Sequence, residues 1–80
     1  MTEYDNLKKS YIAVIQFGLS ANVKYDEVKH GNDLLHKFCE QLIDNSNYPE
    51  TDKQGMKNDL EIVKEALSQE IEMYWRNRCG

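Results

Sequence analysis

The stretch "GNDLLHKFCEQLIDNSNYPET", residues 31–51, decides how the rest of the chain reads. Leu34, Leu35, Phe38, Cys39, Leu42 and Ile43 recur at helical spacing and fill adjacent ridges of one amphipathic helix. The apolar pattern stops at Asp44. "DNSNYPET" follows, rich in turn formers and carrying a proline that cannot continue a helix. Thr51 then stands three residues before Gln54, the spacing of a capping box, so the next helix is expected to start at Thr51 or Asp52. Short connections of this kind set successive helices side by side and antiparallel.

Immediately upstream, "KHGND" places a glycine before Asn-Asp, which reads as a helix stop and a fresh N-cap. Yet Val28, Gly31 and Leu35 keep helical spacing, and a glycine inside a helix costs only ~1 kcal/mol. Two readings stay open: one helix from about Tyr25, or a short helix split from a longer one near Gly31. Further back, Thr2 stands three residues before Asp5, a capping-box-like start. Tyr4, Leu7, Tyr11, Val14 and Ile15 form one helical stripe. From Tyr11 to Leu19 the other face is apolar too, through Ile12 and Phe17. A helix apolar on both faces is central to a fold or covered on its second side by something else.

Downstream, Leu60, Val63, Leu67, Ile71 and Tyr74 make the core stripe of a third helix, with Met56 leading in. Glu72 precedes Arg76 by four residues, the favourable order for an ion pair on a helix surface. Residues 52–78 would run roughly 40 Å as a helix, against roughly 27 Å for residues 3–20. The expected fold is therefore all-α: one domain over residues 1–80, a small antiparallel three-helix bundle with a long C-terminal helix.

Composition narrows the function. Eighty residues, 40% apolar and 30% charged, suit a small globular domain. The net charge of −4 divides as 0 over residues 1–21, −2 over 22–48 and −2 over 49–80. No segment is basic, so direct nucleic-acid binding has no electrostatic basis. A helix-turn-helix over residues 18–44 fails for the same reason, and ten cations dilute fourteen acids too far for a phosphate mimic. Nothing resembles a signal peptide, and the longest apolar run, "YIAVIQFGL", falls far short of the ~20 residues that span a bilayer. With Cys39 and Cys79 as the only cysteines, a cytoplasmic protein with reduced thiols is expected.

No catalytic set is visible. The chain has no phosphate-binding glycine loop and no nucleophile elbow. His36, Cys39 and Glu40 share a helix side, but a structural zinc site wants four ligands, and His30 and Cys79 lack the spacing to complete one. Cys39 reads as a small core residue and His36 as sitting at the core edge. Neither enzyme activity, metal nor cofactor is expected.

The tail "EMYWRNRCG" holds the strongest candidate site. Tyr74, Trp75, Arg76 and Arg78 are the residue types richest at binding hot spots. The up-down-up topology brings Phe17 and Tyr25 beside them, and Glu65 and Glu72 belong to the acidic face of the same helix. The alternative is structural, with arginines offsetting the helix dipole and aromatics capping the core. In size and composition alone the chain is akin to bacteriocin immunity proteins and phage-encoded inhibitors. The expected function is non-enzymatic: binding and sterically inhibiting or regulating a larger protein, as a phage-type inhibitor, immunity protein or antitoxin does. A partner with a basic or nucleic-acid-binding groove would suit the acidic face. The alternative is a structural homodimer closed by surplus apolar surface.

Overall fold

A computed structural model describes residues 2–79 as three helices in chain order: α1 (Thr2–Ser20), α2 (Tyr25–Asp44) and α3 (Glu50–Cys79). They form the expected all-α bundle with a long last helix. At ~1.5 Å per residue the thirty residues of α3 account for the full 46 Å length of the molecule, which is 18 Å across in both other directions. The supposed cap at Thr2 and the thiol of Cys79 lie outside the described side chains.

Each connection has a local chemical cause. After α1, Asn22 adopts a left-handed φ of 62°. Its N–H reaches Leu19 O at 3.2 Å, and Val23 N–H reaches Gly18 O at 3.0 Å, which together make a Schellman stop. Asparagine tolerates that backbone better than most residues. α2 then runs unbroken through Gly31, so the one-helix reading holds. Helical bonds cross the glycine because the apolar spacing on either side of it stays in phase. At the far end, Ser46 Oγ and N–H both return to Ile43 O, at 2.5 and 3.1 Å. α3 begins at Glu50, one or two residues before the expected start. Pro49 O accepts the first helical bond from Lys53 N–H at 2.9 Å, and Glu50 and Asp52 suit the positive end of the dipole. Thr51 is exposed inside the first turn rather than capping it, and Gln54 Nε2 instead donates to Asn58 Oδ1 at 3.1 Å.

A Cβ added at Gly31 or Gly55 would meet nothing within 4 Å. Neither glycine is needed for close approach or an unusual φ, so both carry only their conformational cost. Gly31→Ala and Gly55→Ala are each expected to stabilise the fold by ~0.5–1 kcal/mol, read as a rise in the urea midpoint at unchanged slope. A loss of stability in either variant would mean that the added methyl does meet something.

α2 and α3 make the most extensive helix pair, antiparallel along the whole of α2. Tyr25 and Lys29 meet Glu72, Asn32 meets Lys64 and Ser68, His36 meets Glu61, and Asp44 meets Lys53 and Lys57. α1 runs parallel to α3: Tyr4 lies beside Met56 and Asp59 at one end, and Asn22 meets Arg78 at the other. Tyr11, Ile15, Leu19, Val28, Cys39, Ile43, Met56, Leu60, Leu67 and Ile71 make one buried cluster. The buried stripe of α2 is Val28, Asn32, His36, Cys39 and Ile43. Leu34, Phe38 and Leu42, expected to fill core ridges, are exposed, and so is Val14 of α1.

That rotation of α2 follows from its polar pair. Tyr11 Oη donates to Asn32 Oδ1 and lies 3.2 Å from Asn32 O, while Asn32 Nδ2 donates to Lys64 O at 3.2 Å and Ser68 Oγ at 3.1 Å. His36 sits between two acids, with Nδ1 3.5 Å from Glu40 Oε1 and Nε2 3.2 Å from Glu61 Oε2. The Glu61 contact is poorly aligned for N–H donation and counts as an electrostatic contact rather than a formed hydrogen bond. Buried polar groups need partners, and α3 and Tyr11 supply them only if this face of α2 turns inward.

Candidate partner-binding surfaces

At the C-terminal tip, the sequence-predicted residues divide into two groups. Tyr25, Tyr74 and Trp75 are half-buried and pack together. The Trp75 ring meets both tyrosines edge to face, at centroid distances of 6.3 and 6.2 Å. The guanidinium of Arg78 covers the Trp75 ring at 5.8 Å, donates to Tyr74 Oη at 3.1 Å and reaches Asn22 Oδ1. Trp75 Nε1 is buried and finds no acceptor among the described residues. Tyr25 Oη donates to Glu72, which also faces Lys29 Nζ at 3.4 Å. Lys29 in turn lies 5.0 Å from the Tyr25 ring centroid. The expected Glu72–Arg76 pair thus gives way to a tertiary one, Glu72–Lys29. These contacts tie the α1–α2 turn and the start of α2 to the end of α3.

Arg76, Glu65 and Phe17 stand apart from this latch, all exposed. Phe17 projects from the side of α1 away from the core, so connectivity alone did not bring it to Trp75. Arg76 and Glu65 belong to a ribbon on the outer face of α3, where Ile62, Ala66, Gln69, Met73 and Arg76 follow one another at alternating four- and three-residue steps. Ile62 and Met73 are 68% and 59% exposed, too open to serve this chain's own core. Glu65 lies within the ribbon, and Glu61 and Glu72 edge it.

A second surface lies between α1 and α2, and of the residues expected to contact a partner only Phe17 belongs to it. Val14 and Phe17 of α1 and Leu34, Phe38 and Leu42 of α2 are all exposed there. Between them are two hollows. One, of about 120 Å³, is floored by Tyr11 and Cys39 and walled by Leu7, Val14, Leu35 and Phe38. The other, of about 220 Å³, lies toward the α2–α3 loop among Glu3, Tyr4, Leu7, Leu42, Ile43 and Tyr48. Two signals in the sequence mark this face. No charged residue occurs between Lys9 and Lys24, and Leu34, Phe38 and Leu42 repeat every four residues.

The titratable groups serve the fold. Tyr4 Oη donates to Asp59, and Lys8 Nζ lies 3.1 Å from the same carboxylate. The Tyr4 bond first, then Lys8, holds the Asp59 carboxyl below the usual range. The Tyr25 bond first, then Lys29, does the same for Glu72. Burial pushes the Cys39 thiol up, away from the reactive thiolate. Among the described residues no group of three or more metal-ligating side chains converges. No helix among them is long and apolar enough to cross a membrane.

The two depressed carboxyls fix the sign of the acid response. A group with a lower pKa in the folded state stabilises the fold above its unfolded value and loses that contribution as pH falls through the folded one. The melting midpoint should therefore drop on acidification below about pH 4. Asp59→Asn, which keeps an acceptor for Tyr4, should flatten that drop when the two melting-against-pH curves are compared. Parallel curves would show that the Asp59 pairing contributes nothing.

The chain is an all-α antiparallel three-helix bundle with two exposed mixed or apolar faces. No protein-family model, curated protein or solved structure matches it.

Proposed function

We propose that this chain acts without chemistry of its own, by binding a larger protein and sterically inhibiting or regulating it, in the manner of a phage-type inhibitor, immunity protein or antitoxin. The observation that carries this reading is the outer ribbon of α3. Ile62, Ala66 and Met73 alternate there with Glu65, Gln69 and Arg76 on a helix whose opposite face is already packed by α1 and α2. Apolar anchors interleaved with charge are what a specific, regulated protein contact uses: the anchors supply affinity and the charges select and orient the partner. Glu61, Glu65 and Glu72 give the ribbon an acidic cast, suited to a basic groove. Association with such a groove would weaken steeply with added salt.

Affinity capture from the native cell tests the reading. The immobilised chain should retain one larger protein, and Ile62→Glu with Met73→Glu should release it while leaving the helical spectrum unchanged. Retention that ignores both substitutions removes α3 as the contact. A clean capture with no retained protein counts against the function itself.

A further inference from the structure

We infer that the α1–α2 face is the interface of a two-fold homodimer, each copy covering the other's exposed Val14, Phe17, Leu34, Phe38 and Leu42. Three observations select a second copy as the occupant. The first is area. Phe17 and Phe38 are 73% and 56% exposed, so at ~200 Å² per aromatic side chain the two leave ~250 Å² in water. Val14, Leu34 and Leu42, at 53%, 52% and 43%, bring the patch to about 400 Å² on the usual area scale for aliphatic side chains. A standard interface buries roughly 800 Å² per partner, of which about 65% is apolar in homodimers, or roughly 500 Å². The patch, with the half-buried Leu7, Leu35 and Tyr48 at its borders, has the size that such an interface needs.

The second observation is charge. In a two-fold contact each residue near the axis meets its own copy, so a single sign of charge there repels itself. This face meets that condition along the second half of α1, where residues 10–23 carry no charge, on a chain in which 30% of residues are charged. Glu3, at the edge of the larger hollow, accepts from Tyr48 Oη at 3.2 Å. A foreign partner chosen by electrostatics would call for the opposite arrangement. The third is shape. The hollows of about 120 and 220 Å³ between the helices bracket the ~150 Å³ that accommodates a benzene ring. The side chains available to fill them across a two-fold axis are the protruding Phe17 and Phe38. Pairing through this face leaves the α3 ribbon of each copy open, so the dimer stands apart from the partner reading above.

Sedimentation velocity on the full chain tests the inference, across about 1–200 µM, where interfaces of this size commonly associate. Wild type should sediment as two chains of 9.4 kDa each. Phe38→Glu should raise the dissociation constant at least ~30-fold, as hot-spot residues do. Phe17→Ser, on the most exposed side chain of the patch, should weaken the dimer without touching the core and carries the test if Phe38→Glu fails to fold. Ile62→Glu on α3 should leave the dimer intact even where it abolishes partner capture, which separates the two readings. A wild-type chain that stays monomeric at the highest concentration overturns the inference. So does a dimer indifferent to both phenylalanine substitutions, or a mass that climbs past two copies, because a two-fold patch closes on itself.

Discussion

Ile71→Ala is expected to lower stability by about 3–4 kcal/mol and the melting midpoint by on the order of 15–25 °C. Ile71 is fully buried on α3, in the cluster that joins all three helices, and truncation removes three carbons where the surroundings are already fixed by α1 and α2. The cost has two parts: the lost transfer of apolar surface, and the cavity that a rigid bundle cannot collapse to fill. An 80-residue domain has about 4–12 kcal/mol of stability in all, so this one change removes a large fraction of it. Leu60, equally buried eleven residues earlier on the same helix, should behave alike. The two sites are ~16 Å apart along the axis and should add, leaving the double variant largely unfolded. Ile62→Ala is the matched control. Its side chain is in water, so urea denaturation should place it within about 0.5 kcal/mol of wild type. A loss below 1 kcal/mol for Ile71→Ala would mean that the core does not close around α3 as described.

Asn32→Asp should be comparably damaging at neutral pH, although it changes no heavy-atom shape. Asn32 is buried, with Tyr11 donating to its Oδ1 on one side and its Nδ2 donating to the Lys64 carbonyl and Ser68 Oγ on the other. Substitution removes the Nδ2 donor, so the Lys64 carbonyl would face a carboxylate oxygen. It also buries a negative charge beside Asp33 in the chain, and the cation on the facing turn, Lys64, is already paired with Asp33. An uncompensated buried charge costs about 3–5 kcal/mol. The sign with pH follows. Burial raises the pKa of the new carboxyl in the folded state above its unfolded value. The deficit relative to wild type should be large at neutral pH, shrink as pH falls through the raised folded pKa, and reach the cost of the lost donor by about pH 4, near the unfolded value. Paired urea titrations at pH 7 and near pH 4 would read this directly. A deficit that does not depend on pH would show that the site is wetter than its burial implies.

The same residue shows where sequence reading stops. The helices and their order were legible because apolar spacing and the Pro49 break are local signals. Periodicity reports how wide the apolar arc of a helix is, and α2 has an arc wider than one neighbour can cover. Which part of that arc turns inward depends on partners far along the chain: Tyr11 for Asn32 on one side, Ser68 and Glu61 for Asn32 and His36 on the other. Satisfying the Asn32 amide and setting His36 against Glu61 turns Leu34, Phe38 and Leu42 outward. At the tip, Tyr, Trp and Arg carry equal promise for binding and for packing until their neighbours are known. Contacts from Asn22, Tyr25 and Lys29 make much of that cluster a latch, leaving Arg76 and Phe17 open.

By itself, then, the sequence determined three helical segments, the break between the second and third, and an excess of apolar surface, because each arises from neighbours within a few turns. Only the tertiary structure decided where the excess lies. Burial of a helix face is a choice among competing faces, and the hydrogen-bond partners that decide it for Asn32 come from positions 21 and 36 residues away.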